Sequence, residues 1–166
     1  GIIGLLLDTF AGDVLKKPII IAIALMVMGV ILYFVDKKAK STTDYEHMTF
    51  KQTFLIGLSQ CLAFIPGVSR SGITMTAGRA MGVDRPSAAR YSFMLSAPIV
   101  FAATIFKLKD FVFNLSFFIG VLASFIVGII VIKWLLKFLQ KGSFKVFAIY
   151  RVIFGLIILI VAFTRM

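Results

Sequence analysis

The residues best equipped for chemistry in this chain lie in one short run, PGVSRSG, from Pro66 to Gly72. Proline lacks a backbone donor and glycine lacks a β-carbon, so Pro66-Gly67 interrupts any helix that reaches it. Gly67 and Gly72 permit a sharp turn and a close approach of backbone to a ligand. Beyond the break, Ser71 reads as the N-cap of a second helix, with Thr74 three residues on. A helix N-terminus offers free N–H groups and a partial positive charge. Arg70 adds a planar fork that matches phosphate oxygens, and Ser69, Ser71 and Thr74 add hydroxyls. Everything here donates or is positive, so the ligand is an anion, most simply a phosphate.

The elements that must hold this turn are apolar. Of the 166 residues, 60% are apolar and only 15% are charged. The mean hydropathy is +1.04. A soluble domain carries roughly 45–50% apolar residues even with glycine counted, and one of this length cannot hide such an excess. Runs 19–35, 87–106, 111–132 and 146–164 read as membrane spans, the last interrupted by Arg151, and 36–51 as a polar connection. Residues 52–82 hold the break at their centre. Two half-helices, 52–65 and 71–81, joined at PGVSRS, form a re-entrant hairpin, because non-helical backbone at membrane depth must be buried in protein or line a wet cavity. The fold class is an all-α integral membrane protein with about four transmembrane helices and this hairpin, in one membrane domain over 1–166.

In that setting Arg70 has two readings. It either satisfies carbonyls freed by the broken helix or binds the anion, and the cost of an arginine inside a membrane favours the second. Arg151 either snorkels to the interface or pairs within the core. Arg79 and Arg90, near helix ends, read as structural or head-group contacts. The spacing of four in Gly120, Ser124 and Gly128, and in Ala88, Ser92 and Ser96, predicts close helix contacts. Lys133, Lys137 and Lys141 share a helix face and snorkel to anionic head groups.

The charge balance, 18 Lys and Arg against 7 acids for a net +11, excludes nucleic acid as a partner, since the bases flank apolar runs. Lys37, Lys38, Lys40, Lys51, Arg85 and the Lys133–Lys145 group make the heavier, cytoplasmic side. Lys16, Lys17, Lys107, Lys109 and Arg165 make the other. Cys61 stands alone, which rules out an internal disulfide and CxxC chemistry. His47 reads as a solvated loop residue beside Glu46, the sole glutamate. No acid lies inside any span, so no metal ligand is assigned in this chain.

The run QTFLIGLSQCLAFIPGVSRSGITMTAGRAMGVDRPSAARYSFMLSAPIV, residues 52 to 100, resembles the second signature region of bacterial undecaprenyl-diphosphate phosphatases of the BacA type. The shared features are the PG-x-SRSG core, the Gly57-x-x-Gln60-x-Leu62-Ala63 lead-in and the Ala88-Ala89-Arg90-Tyr91-Ser92-Phe93 follow-on. Phe147 to Arg151, FAIYR, resembles the family's last helix. The resemblance implies a hydrolase of the bacterial plasma membrane, built from two inverted repeats, with its active site facing the outer side. Its reaction would convert undecaprenyl diphosphate to the monophosphate and phosphate, recycling the carrier for cell-wall synthesis with the help of magnesium or calcium. Ser69, Arg70 and Thr74 correspond to the family's functional serine, arginine and threonine. Arg70 and Ser69 are the catalytic candidates, and Gly67, Ser69, Arg70, Ser71, Gly72 and Thr74 the phosphate-binding set. Ser69 is assigned to binding rather than attack, because a nucleophilic serine needs an adjacent base. Nothing matches the family's Glu-rich first signature, so the chain resembles the C-terminal three-fifths of such an enzyme and is expected to be inactive alone. The expected partners are a polyprenyl diphosphate and membrane lipids, with a homodimer left open. The alternative is a transporter or flippase for an anion or phosphate-bearing lipid, since broken helices also build such sites.

Overall fold

A computed structural model of the protein describes residues 16–108, 111 and 113–164. Lys109 and Arg165, which enter the charge count above, lie outside the described residues. The described chain forms α1 (Pro18–Lys38), α2 (Phe50–Ser59), a 3₁₀ turn (Gln60–Phe64), α3 (Arg70–Ala80), α4 (Arg85–Phe106), α5 (Leu115–Lys141) and α6 (Lys145–Thr164). The one β feature among these residues is an isolated bridge between Thr43 and Val83. Helices α1, α4, α5 and α6 are long and apolar enough to cross a membrane, so the protein is a multi-pass membrane protein.

Local chemistry sets the helix ends. Thr49 and Gln52 form a reciprocal capping box at the start of α2. Asp84 accepts from the Ser87 N–H at 2.8 Å, with proline in the first turn of α4. Asn114 caps α5 through the Phe117 N–H at 2.8 Å. Two spans exceed the uncharged runs. Helix α5 continues through Lys133 and Lys137 to Lys141, because lysine is a good helix former and nothing stops the helix before Gly142. Helix α1 continues to Lys38 and so contains Asp36. An acid therefore does sit inside a spanning helix, contrary to expectation.

Asp36 is 3% exposed, and its oxygens are fully engaged. Oδ1 accepts from Arg79 Nε at 2.8 Å and from Arg85 Nε at 2.8 Å, and Oδ2 accepts from the Phe144 N–H at 3.1 Å. Arg79, only 1% exposed, spends its remaining donors on Ser41 Oγ (3.1 Å) and on the carbonyls of Val83 (2.6 Å) and Ala39 (3.0 Å). One carboxylate thus ties together the ends of α1, α3, α4 and α6. Arg79 is structural, while Arg90 lies outside the cluster, stacked over the Tyr45 ring at 4.3 Å.

Helix α3 is the least apolar helix and the most enclosed, with seven of its eleven residues buried. It packs against α1, α2 and α4. Two of the three small residues expected to line a contact on α4 do so. Ala88 and Ser92 are buried, Ala88 Cβ lies 3.1 Å from where a β-carbon on Gly78 would sit, and Thr74 meets Ser92. Gly29 of α1 lies against α6, where a β-carbon would come within 3.1 Å of the Ala148 carbonyl and Arg151 Cβ. The other predicted line is not in contact. Among the described residues nothing lies within 4 Å of a β-carbon built on Gly120 or Gly128, and the residues of α5 that join the core, Leu135, Leu136, Phe138 and Leu139, lie near its C-terminal end.

Candidate anion site

The backbone leaves the 3₁₀ turn at Ile65 and re-enters a helix at Arg70. Gly67, at φ +94°, lets the turn press against α1, where any β-carbon would overlap the Ile21 carbonyl. Ser69 holds φ +67° and ψ 120° and is the one non-glycine residue with positive φ among the described residues. Such a conformation costs on the order of 1–3 kcal/mol and concentrates where function demands it. Ser69 Oγ accepts from the Gly72 N–H at 3.3 Å. Ser69 is therefore the N-cap, not Ser71, which already lies in the first turn of α3. A cap residue must keep non-helical dihedrals, and Ser69 is the residue that does.

Breaking the helix frees carbonyls, and Arg151 takes them. Its Nη2 donates to the Gly67 carbonyl at 2.9 Å and to the Val68 carbonyl at 2.6 Å. The side chain is 6% exposed, so Arg151 pairs in the core and does not snorkel. Gly72 is needed beside it, since a β-carbon there would overlap Arg151 Nη1. The bland role weighed for Arg70 thus belongs to another arginine. Arg70 itself makes no side-chain hydrogen bond or ion pair among the described residues. It lines a cavity of about 260 Å³ with Gly57, Gln60, Cys61, Ala63, Phe64 and Ile99.

The predicted residues do not all share one space. Ser69, Ser71 and Gly72 open on a second cavity of about 280 Å³, otherwise lined largely by apolar side chains including Leu32, Met75, Phe93 and Phe147. Thr74 faces neither cavity. Its hydroxyl is fully buried, donating to the carbonyls of Arg70 (3.0 Å) and Ser71 (3.2 Å) and meeting Ser92 Oγ at 2.7 Å. It braces the first turn of α3 from beneath. The positive end of α3 therefore has a guanidinium on one flank and two hydroxyls on the other.

This donor set does not fit a divalent cation, which needs oxygen acceptors. Among the described residues no three His, Cys, Asp or Glu stand together. Asp36 is saturated by arginines, and Arg79 beside it lies nine residues from Arg70, about 14 Å at the helical rise. His47 stays in an exposed loop, with Nδ1 2.6 Å from Asp44 Oδ1. That carboxylate raises the imidazole pKa, and the imidazole in turn lowers that of Asp44.

Reading the residues alone missed Arg151 as the holder of the turn and Asp36 as the clamp. The signal for Arg151 was a charge interrupting an otherwise uncharged span. No comparable signal marked Asp36, which looked like the flank of α1.

Comparison with known proteins identifies the family. The family described as "Bacitracin resistance protein BacA" matches residues 1–157. A protein of Pelotomaculum thermopropionicum named undecaprenyl-diphosphatase is 46% identical, over 99% of this chain and 63% of its own length. Proteins of the same name from Desulforudis audaxviator and Moorella thermoacetica are 41% and 40% identical, each over 99% of this chain and 64% of its own. The chain thus spans a little over three-fifths of the relatives it matches. With the family pattern covering both the broken helix and the arginine that holds it, this chain belongs to the bacitracin resistance protein BacA family.

Proposed function

We propose that this chain supplies the diphosphate-binding half of an undecaprenyl-diphosphate phosphatase. The reaction is hydrolysis of a phosphoric anhydride. Water adds to the terminal phosphorus, the bond from that phosphorus to the bridging oxygen breaks, and undecaprenyl phosphate leaves. Arg70 and the N–H groups at the start of α3 bind the transferring phosphoryl group and neutralise charge that grows on it. The hydroxyls of Ser69 and Ser71 serve the other flank. The first carbons of the lipid lie in the apolar cavity next to those hydroxyls, and Thr74 keeps the helix start in place.

One observation carries this reading. Arg151 already satisfies the carbonyls of the broken helix, so the guanidinium of Arg70 is left for a ligand. The names of the relatives support the same substrate. The α2–α3 pair is read as a re-entrant hairpin in the bacterial plasma membrane, one half of an inverted repeat, with the site facing the outer side. The magnesium or calcium that the resemblance implies would be held by residues other than the described ones of α1 to α6.

The test is a reconstitution of the protein at the full length of its relatives. Proteoliposomes should release phosphate from undecaprenyl diphosphate without passing phosphate across the bilayer. Phosphate flux without release would overturn the hydrolase in favour of a carrier.

A further inference from the structure

Holding the turn uses only part of Arg151. Its Nη2 serves the carbonyls of Gly67 and Val68, while Nε is sealed in the protein with no hydrogen-bond partner. Nη1 makes no hydrogen bond, and no carboxylate pairs with the guanidinium, among the described residues. The side chain is 6% exposed, and a buried charge without a counter-charge is costly. Nη1 lies against Gly72, where an added β-carbon would overlap it and would stand 3.3 Å from Ser69 Cβ. Gly72, Ser69, Ser71 and Arg151 all line one cavity of about 280 Å³. The unspent donor of Arg151 therefore stands at the polar end of that cavity, beside two hydroxyls.

These neighbours restrict what can complete it. A guanidinium only donates, and its charge is not neutralised here, so the partner is an anionic acceptor. The hydroxyls of Ser69 and Ser71 can donate to the same anion. The rest of the wall is largely apolar, so the anion carries a hydrocarbon group. A phosphate bonded to a lipid alcohol meets both conditions. We propose that Arg151 Nη1 is a second cationic contact of the site, taking the lipid-linked phosphate of the diphosphate while Arg70 takes the terminal one. The inference rests on the phosphatase reading and adds to it a catalytic residue for the leaving group. When the bond from the terminal phosphorus to the bridging oxygen breaks, its electron pair stays on that oxygen. The lipid-linked phosphate thereby gains a negative charge, and the protons of the attacking water leave with the inorganic phosphate. A cation fixed against the lipid-linked phosphate binds it more strongly as that charge grows, which lowers the barrier.

The experiment is calorimetric binding of farnesyl phosphate and of inorganic phosphate to the full-length protein in detergent. Farnesyl phosphate has a prenyl tail for the apolar cavity, so its phosphate reports on Arg151, whereas inorganic phosphate reports on Arg70. Arg151→Gln should weaken farnesyl phosphate about tenfold or more, the scale of one hydrogen bond to a charged group, and leave inorganic phosphate unchanged. Gly72→Ala keeps Arg151 for the carbonyls but puts a methyl in the place of Nη1, and should give the same selective loss. Arg70→Ala should do the reverse. Equal losses of both ligands in the first two variants would mean that Arg151 only shapes the turn, and would overturn the proposal. Unchanged farnesyl phosphate affinity in Gly72→Ala overturns it whether or not Arg151→Gln folds, and is the result expected if an acid elsewhere in the full-length protein neutralises Nη1. Failure of the wild type to bind either ligand overturns it directly. If Arg70→Ala binds inorganic phosphate as the wild type does, the phosphatase reading fails as well. If Arg70 matters while Arg151 and Gly72 do not, only the present inference falls.

Discussion

Ser69 combines two properties that substitution can separate, a strained backbone and a capping hydroxyl. Ser69→Ala keeps the strain and loses the acceptor, a change worth about 1 kcal/mol at an N-cap. Ser69→Gly loses the cap at a cost of only a few tenths and relieves the positive φ. Thermal unfolding in detergent should therefore rank Ser69→Gly above Ser69→Ala, and the reverse order would show that the extra backbone entropy of glycine outweighs the relieved strain. Phosphate release by the full-length protein should fall in both, because both lack the hydroxyl. Arg151→Met leaves the carbonyls of Gly67 and Val68 unpaired, at about 1–3 kcal/mol for each buried group left so. The same unfolding measurement should show that loss, and an unchanged midpoint would mean the turn holds itself. The helix break in PGVSRSG was legible from residue types alone, and the anion read from its donors is our proposal. The identity of the cap was not, because Ser69 and Ser71 are equally good cap residues and only the backbone path chooses between them.

Among the elements, α3 is positioned from its far end. Asp36, Arg79 and Arg85 fix its C-terminus against α1, α4 and α6, so its N-terminus presents Arg70 and the free N–H groups at a set place. Removing one partner of a buried pair leaves a bare charge, and Asp36→Ala should lose about 3–5 kcal/mol of stability to denaturant. A loss below about 1 kcal/mol, the range of an exposed pair, would contradict the clamp. The clamp was invisible in sequence because its members are 43 and 49 positions apart and each sits beside a helix end, where charges are ordinarily solvated. The break between α2 and α3 was visible, because proline and glycine act locally. In the connection between α1 and α2, the hydrogen bond to Asp44 raises the pKa of His47 and so favours its charged form. The pair is intact above the lowered pKa of Asp44 and below the raised pKa of His47, and it fades outside that window. NMR titration should place the His47 ring above the ordinary value of about 6.5, and Asp44→Asn should return it there. An unmoved titration would break the assignment.

At the scale of the molecule, the Asp36–Phe144 hydrogen bond joins the end of α1 to the start of α6, and the α5–α6 turn lies beside it. Lys40 and Lys141 should therefore share one side of the membrane. Single cysteines at these positions, in a Cys61→Ala background, should label together with an impermeant thiol reagent, and opposite labelling would refute the arrangement. Among the described residues, helix α5 has a bare small-residue face and no cluster of cation ligands stands beside the proposed phosphate cradle. Both features fit a chain that covers a little over three-fifths of its relatives. The proposed phosphatase role rests most heavily on Arg70 being free for the substrate. Its most direct test is phosphate release from undecaprenyl diphosphate by the full-length protein carrying Arg70→Ala, with membrane insertion and thermal stability checked alongside. Turnover should fall by a factor on the order of 10² or more with the fold intact, the scale of losing one charge-stabilising donor. Near-normal turnover from a well-folded Arg70→Ala protein would contradict the account.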